Sequence, residues 1–168
     1  MIRAMSSLKK AEIAAEMRKL FGDDEKRITH ALDVLSFAEK ILLGEPGDSD
    51  VVIGVALLHD IGIHEAERKH GSSAARYQEI EGPPIARRIL EKLEEDPDLI
   101  SEVCDIVSHH HSPRKDETLN FRILYDADLI VNLRDEVAPS RLAGMGEKFG
   151  RMFLTPTGLD VARETFLK

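Results

Sequence analysis

Apolar residues recur along this chain at the three-to-four-residue spacing of a helix, and no stretch alternates with the two-residue period of a strand. Ser6-Ser7 can cap a first helix through Leu20, with Leu8, Ile13, Met17 and Leu20 on one side and charges on the other. Gly22-Asp23-Asp24 breaks it and offers the next cap. From Glu25 to about Leu43, the set Ile28, Leu32, Leu35, Ala38, Ile41 and Leu42 marks a second helix. His30 shares a face of it with Val34, Phe37 and Ile41. After the turn cluster Gly44-Glu45-Pro46-Gly47, Asp48 or Ser49 can cap an apolar run from Val51 to Leu58. That run stops abruptly on His59-Asp60 and passes into Ile61-Gly62.

The stretch from His64 to Glu81 is polar, weakly periodic and carries Gly71-Ser72-Ser73, so it reads as a loop or lid. Gly82-Pro83-Pro84 then opens a helix, with proline tolerated in the first turn and Ile85, Ala86, Ile89, Leu90 and Leu93 periodic. Asp96-Pro97 begins another through Leu99, Ile100, Val103, Ile106 and Val107 into His109-His110-His111, where Ser112-Pro113 stops it. A further helix from about Leu119 to Leu133 carries Asp126 and Asp128, and two more helical patterns flank Thr155-Pro156-Thr157-Gly158. The pattern predicts an all-α chain in a single domain spanning 1–168. Its parts are an N-terminal helix over 1–22, a core over 25–134 and C-terminal helices over 138–168.

Composition alters this picture little. Hydrophobic residues make up 42% and charged residues 32% of 168 residues, an ordinary globular mixture of a size suited to one domain. The net charge of −8 is spread along the chain. It speaks against a nucleic-acid polymer or an anionic membrane as partner, because phosphate contacts need clustered Lys and Arg. A small phosphate compound met in a cleft that holds a cation remains compatible with it. Cys104 is the single cysteine, so no internal disulfide forms. No apolar run approaches the roughly 20 residues of a membrane span, and Met1 to Lys10 lacks the apolar core of a secretion signal. The expectation is a cytoplasmic protein.

Candidate chemistry lies where ionisable residues interrupt apolar faces. Such groups are costly to bury unless they are paired or bound to metal, so His59-Asp60 needs partners. His30, the histidine triplet and Asp126-Ala127-Asp128 are the available ones. Adjacent helical residues point about 100° apart, so His59 and Asp60 can share an ion only near a helix end. On a wheel with Leu99 at zero, the apolar face centres near 60°, His110 falls at about 20°, His111 at about 120° and His109 at about 280°. His110 is therefore expected inside, His111 at the border of the core and His109 in solvent. Taken alone, His30 reads more readily as a hydrogen-bonded core histidine than as a ligand. Asp128 has Tyr125 and Arg122 as alternative partners. Imidazoles and carboxylates without thiols suit a divalent ion such as Mn, Fe, Co, Ni, Mg or Zn.

A helix histidine, then His-Asp closing an apolar helix, a histidine pair, and an aspartate within Ala127-Asp128-Leu129 together resemble the HD-domain metal-dependent phosphohydrolase superfamily. The likeness runs from about Ile28 to Leu133, and Phe153 to Ala162 looks like the C-terminal helix of its small members. It implies a bundle of at least five helices with a metal site in the core cleft. His30, His59, Asp60 and Asp128 map onto the ligands; the Ala-Asp-Leu context selects Asp128 over Asp126. Members with a second ion use a histidine pair, matched here by His110 and His111 within Ile106 to His111, and an added histidine. The place of that histidine is taken by Gln78, with Glu81 one turn along as its replacement and His64 or His70 as alternatives. The chain lacks the Gly-Tyr-Pro extension and the lysine after Ile61-Gly62 of the cyclic-dinucleotide branch, Ile63 standing there, so cyclic-di-GMP hydrolysis is not expected.

The resemblance implies hydrolysis of a small phosphate ester, a nucleotide among the candidates, with one ion expected and a second left open. An ion held by the four ligands would activate water. Asp60 and His110 are the expected catalytic residues, and His110 or His111 would complete a second ion or touch the phosphate. Arg68 and Lys69 in the expected lid are the candidate phosphate-binding residues. Two other classes stand beside this one: a di-iron oxygenase, against which Gln78 counts, and a non-catalytic regulatory module that binds a nucleotide or a partner protein through the same cleft. The first helix can pack on its own domain or on a second copy, which leaves a homodimer open.

Overall fold

Helix starts in this chain are set by side chains that accept the unpaired N–H groups of a first turn. The structure, a computed structural model, describes residues 7–168, so the cap expected at Ser6 lies outside the described residues. The described chain forms α1 (Ser7–Phe21), α2 (Glu25–Leu42), α3 (Ser49–Leu58), α4 (Ile63–His70) and α5 (Ala75–Lys92). There follow α6 (Pro97–Val107), α7 (Leu119–Glu136), α8 (Pro139–Ala143), α9 (Gly146–Met152) and α10 (Pro156–Phe166). No strand occurs among the described residues. The carboxylates of Asp24, Asp48 and Asp96 cap α2, α3 and α6, and the hydroxyls of Thr118 and Thr155 cap α7 and α10. Each such cap contributes about 1 kcal/mol.

The apolar helix α3 sits at the centre, with α1, α2, α6 and α7 packed around it. Val52, Val55, Ala56 and Leu58 are fully buried, which explains why its sequence is apolar on nearly every side. α2 packs against α7 as well as α3, and α5 packs against both α6 and α4. One hydrophobic cluster runs from Ile13 of α1 through to Ala162 of α10. No helix of the described residues is long and apolar enough to cross a membrane.

Three expectations are corrected. Residues 64–81 are not a loop: α4 occupies the first part, Gly71 ends it in the left-handed region at φ 65°, and α5 starts at Ala75. Pro83 and Pro84 therefore lie inside α5 and do not begin it. They deprive the carbonyls of Glu79 and Ile80 of their helical donors, and Ile80 is 60% exposed, so water reaches that side. Finally, α6 ends at Val107, not at Ser112-Pro113. From there the backbone tightens into three-residue turns, His109 N–H to Ile106 O and Ser112 N–H to His109 O.

Two close approaches fix how the outer helices meet the core. Gly62 and Gly82 bring the start of α4 and the middle of α5 into backbone contact: a Cβ on Gly62 would lie 2.5 Å from the Gly82 nitrogen. At the other end, the fully buried Asp126 of α7 accepts from Leu154 N–H, Thr155 N–H and Thr155 Oγ1 at 2.7–2.8 Å. Burial pushes its carboxyl up to about 6, against the lowering pull of those three bonds. Gly158 in the first turn of α10 leaves the room that this carboxylate occupies.

Candidate metal centre

His59 is the C-cap residue of α3, where the helical backbone opens, and this lets two successive side chains aim at one point. Its Nδ1–H donates to Ala56 O at 2.9 Å, which directs Nε2 outward. There His59 Nε2 meets His30 Nε2 of α2 at 3.3 Å, Asp60 Oδ2 at 3.4 Å and Asp128 Oδ1 of α7 at 3.4 Å. His30 Nε2 lies 2.9 Å from Asp128 Oδ1 and 3.4 Å from Asp60 Oδ2. Tyr125 and Arg122, the alternative partners for Asp128, make no bond to it.

Two imidazole nitrogens and two carboxylate oxygens facing one another require a positive charge among them. In the protein alone that charge is a proton. Burial by itself would lower the His59 pKa, but the adjacent Asp60 and Asp128 carboxylates outweigh it and push the imidazole up to about 9. Burial likewise works to raise Asp60 and Asp128, and it is overcome: His59 and His110 hold Asp60 well below the usual carboxylate range, and His59 and His30 do the same for Asp128. A divalent ion answers the same demand. With metal–ligand bonds of about 2.1 Å, the edges of a tetrahedral or octahedral shell are about 3.0–3.4 Å, close to the 2.9–3.4 Å of the five pairs above. The donor set of His30, His59, Asp60 and Asp128 therefore fits a divalent ion.

A second group shares Asp60. His110 Nδ1–H donates to Val107 O at 2.9 Å, turning Nε2 toward Asp60 Oδ1 at 3.3 Å. Ligating atoms of Asp60, His110 and His111 all fall within 4.8 Å of one another. His110 is buried as expected, whereas His111 stands exposed at the rim, its Nε2 3.3 Å from Gln78 Oε1. His109 reverses the expectation of a solvent-facing ring. It is buried, stacked on Phe121, with Nδ1–H donating to Asp105 O and Nε2 2.9 Å from Glu117. The wheel failed because it assumed helix beyond Val107.

The structure does not bring the remaining candidates to the cluster. Glu81 takes Lys69 Nζ at 2.9 Å and His70 Nε2 at 3.1 Å, and these partners hold its pKa below the ordinary value. It pairs α5 with α4 and does not replace an absent imidazole. Arg68 is bonded to Glu65 one turn earlier, and Lys69 divides itself between Glu65 and Glu81. Neither lines the cleft. His64 Nε2 lies 2.8 Å from Asp24, the cap of α2, and His70 stacks on Tyr77.

A cavity of about 320 Å³ opens over the cluster, lined by His30, Asp60, Asp128, His111, Gln78 and Ile63. Its mouth carries Lys26 and Arg27 on α2 and Asn132, Asp135 and Glu136 on α7, none of which was singled out from the sequence. Their spacing was the available signal. Lys26 and Arg27 stand four and three residues before His30, and Asn132 and Asp135 four and seven after Asp128, so each lies on the face of its own ligand.

Residues 27–133 match the HD domain family, more than half of the chain. A crystal structure described as a predicted HD superfamily hydrolase from an uncultured Thermotogales bacterium is similar across 92% of this chain and 83% of its own. The two share 27% sequence identity with a TM-score of 0.67. No curated protein matches the chain.

Proposed function

Because the chain belongs to the HD domain family, we propose that it is a metal-dependent hydrolase of a small phosphate ester, a nucleotide among the candidates. The observation that carries this reading is the convergence of His30, His59, Asp60 and Asp128 from α2, the end of α3 and α7 beneath an open cavity. A divalent ion bound there supplies a Lewis acid and a water made nucleophilic near neutral pH. The overall reaction adds water across the ester P–O bond and yields inorganic phosphate and the free alcohol.

The chain's own residues have distinct parts in this reading. Ala56 O and Val107 O orient the rings of His59 and His110 by accepting their Nδ1–H groups. His110 and His111 would hold a second ion together with Asp60 or contact the phosphate directly. Lys26 and Arg27 take the phosphate-binding role that Arg68 and Lys69 do not fill, since they line the cavity and their charged ends have no ion-pair partner among the described residues.

The test is turnover of a panel of phosphate esters with Mn, Co, Ni or Mg by the wild-type chain and by His59→Ala and Asp60→Ala. Loss of either ligand is expected to lower turnover at least about 100-fold. Wild-type turnover by either variant refutes the assigned roles.

A further inference from the structure

The cavity over the cluster has two unlike lips. Lys26 and Arg27 occupy the first turns of α2, and Asn132, Asp135 and Glu136 the last turns of α7. The helix ends reinforce the contrast, the N-terminal end of α2 being positive and the C-terminal end of α7 negative. No ion pair joins the lips. Arg27 gives its backbone N–H to Asp24, and its charge also acts on that carboxylate without closing an ion pair; Lys26 and Glu136 have no ion-pair partner among the described residues. Asp135 is met at 2.8 Å by Arg134 of its own helix, which also pairs with Asp33 of α2 at 2.6 Å. Glu136 and the Asn132 amide are thus the free acceptors on that side.

Long side chains of opposite charge that face one cavity without meeting across it are arranged for a molecule with opposite polarity at its two ends. Resting on the phosphohydrolase reading, we propose that the site takes phosphate monoesters whose alcohol portion carries a cationic amine, such as an amino-alkyl or amino-sugar phosphate. Lys26 and Arg27 meet the phosphate, and Glu136 with Asn132 meets the ammonium group. A neutral alcohol would leave the Glu136 charge uncompensated, and an acidic one would be repelled by it. The volume of about 320 Å³ lies at the lower end for ligand pockets, which suits one sugar or a short alkyl chain.

The test is calorimetric binding to the full chain loaded with Mn, comparing 2-aminoethyl phosphate with ethyl phosphate. The amine ester is expected to bind about 3- to 10-fold tighter, the range for one or two solvent-exposed charge contacts. Glu136→Gln is expected to bring that ratio close to one. Glu136→Lys is expected to reverse the preference, so that 3-phosphoglycerate binds tighter than 2-aminoethyl phosphate, an outcome misfolding cannot produce. Equal or unmeasurable binding of the two esters by the wild type overturns the proposal, as does a ratio that neither variant changes. Turnover is read separately. Selective binding without hydrolysis under any metal removes the phosphohydrolase reading and keeps the lip assignment, whereas hydrolysis without selectivity does the reverse.

Discussion

Gly62 follows the His59-Asp60 corner by two residues, and its missing side chain is what allows α5 to lie where it does. A Cβ placed there would sit 2.5 Å from Gly82 N, 2.8 Å from Gln78 O and 2.8 Å from Gly82 Cα. All three atoms belong to the backbone of a helix, so no rotamer change relieves the overlap. Restoring ordinary contact requires α4 and α5 to separate by about 1 Å, and a gap of that size forfeits a quarter to a half of the attraction between facing atoms. Overpacking of this kind costs about 1–3 kcal/mol. For a chain of this length that corresponds to a fall in Tm of about 2–12 °C. Gly62→Ala is therefore expected to melt several degrees below the wild type, and to bind metal more weakly because Ile63 and Gln78 form one wall of the cleft. Gly82→Ala is crowded by a Val107 methyl, at 2.8 Å, while Gly62 N and Cα stay at ordinary contact, 3.8 and 4.0 Å, and it is expected to lose less. Gly150→Ala, in α9 with nothing within 4 Å, is expected to gain about 0.5–1 kcal/mol from helix propensity. Thermal and urea denaturation of the three variants side by side decide the matter. A Gly62→Ala protein that melts within about 1 °C of the wild type would show that α4 and α5 do not need this close approach.

Two further outcomes follow from the burial and pairing of single side chains. Asp126 has its folded pKa raised to about 6 from 3.8, so its ionised form weighs on stability at neutral pH and that weight lifts as pH falls through 6 toward 4. Asp126→Asn sets an amide NH₂ against N–H donors and is expected to destabilise by about 1–3 kcal/mol at pH 7.5. The gap to the wild type is expected to widen by up to about 3 kcal/mol by pH 4, where only the wild type gains from protonation; urea titrations showing a constant or narrowing gap contradict it. Arg27→Gln is expected to raise KM for phosphate esters about 10-fold or more, the effect of losing a charge-assisted bond. Arg68→Gln, which breaks only the exposed pair with Glu65, is expected to leave KM within about twofold.

What the sequence made legible follows from which signals are local. The caps Asp24, Asp48 and Asp96 and the faces they introduce were readable because a cap and its apolar stripe lie within a few residues of each other. The break at His59-Asp60 stood out because two ionisable groups closed an apolar run. α4 was missed since it buries only Ile63 and Ala66, too few positions to show a period. The prolines of α5 followed the first-turn rule locally, yet the backbone contact between Gly62 and Gly82, which holds the turn just before them, is tertiary. The Lys69–Glu81 pairing was illegible for the same reason, whereas the bond from Arg68 to Glu65 at i, i+3 could have been read from spacing alone. His109 shows how an angular argument fails once the helix that defines the angle has ended.

A single cation site built by side chains of α2, the end of α3 and α7 is checked by metal content. Elemental analysis of the purified wild type is predicted to find at least one divalent ion per chain, and His30→Ala combined with Asp128→Asn is predicted to lose it while keeping its helical circular dichroism. A wild type free of metal that takes up none on titration, or a double variant that retains the ion at full stoichiometry, would contradict the assignment.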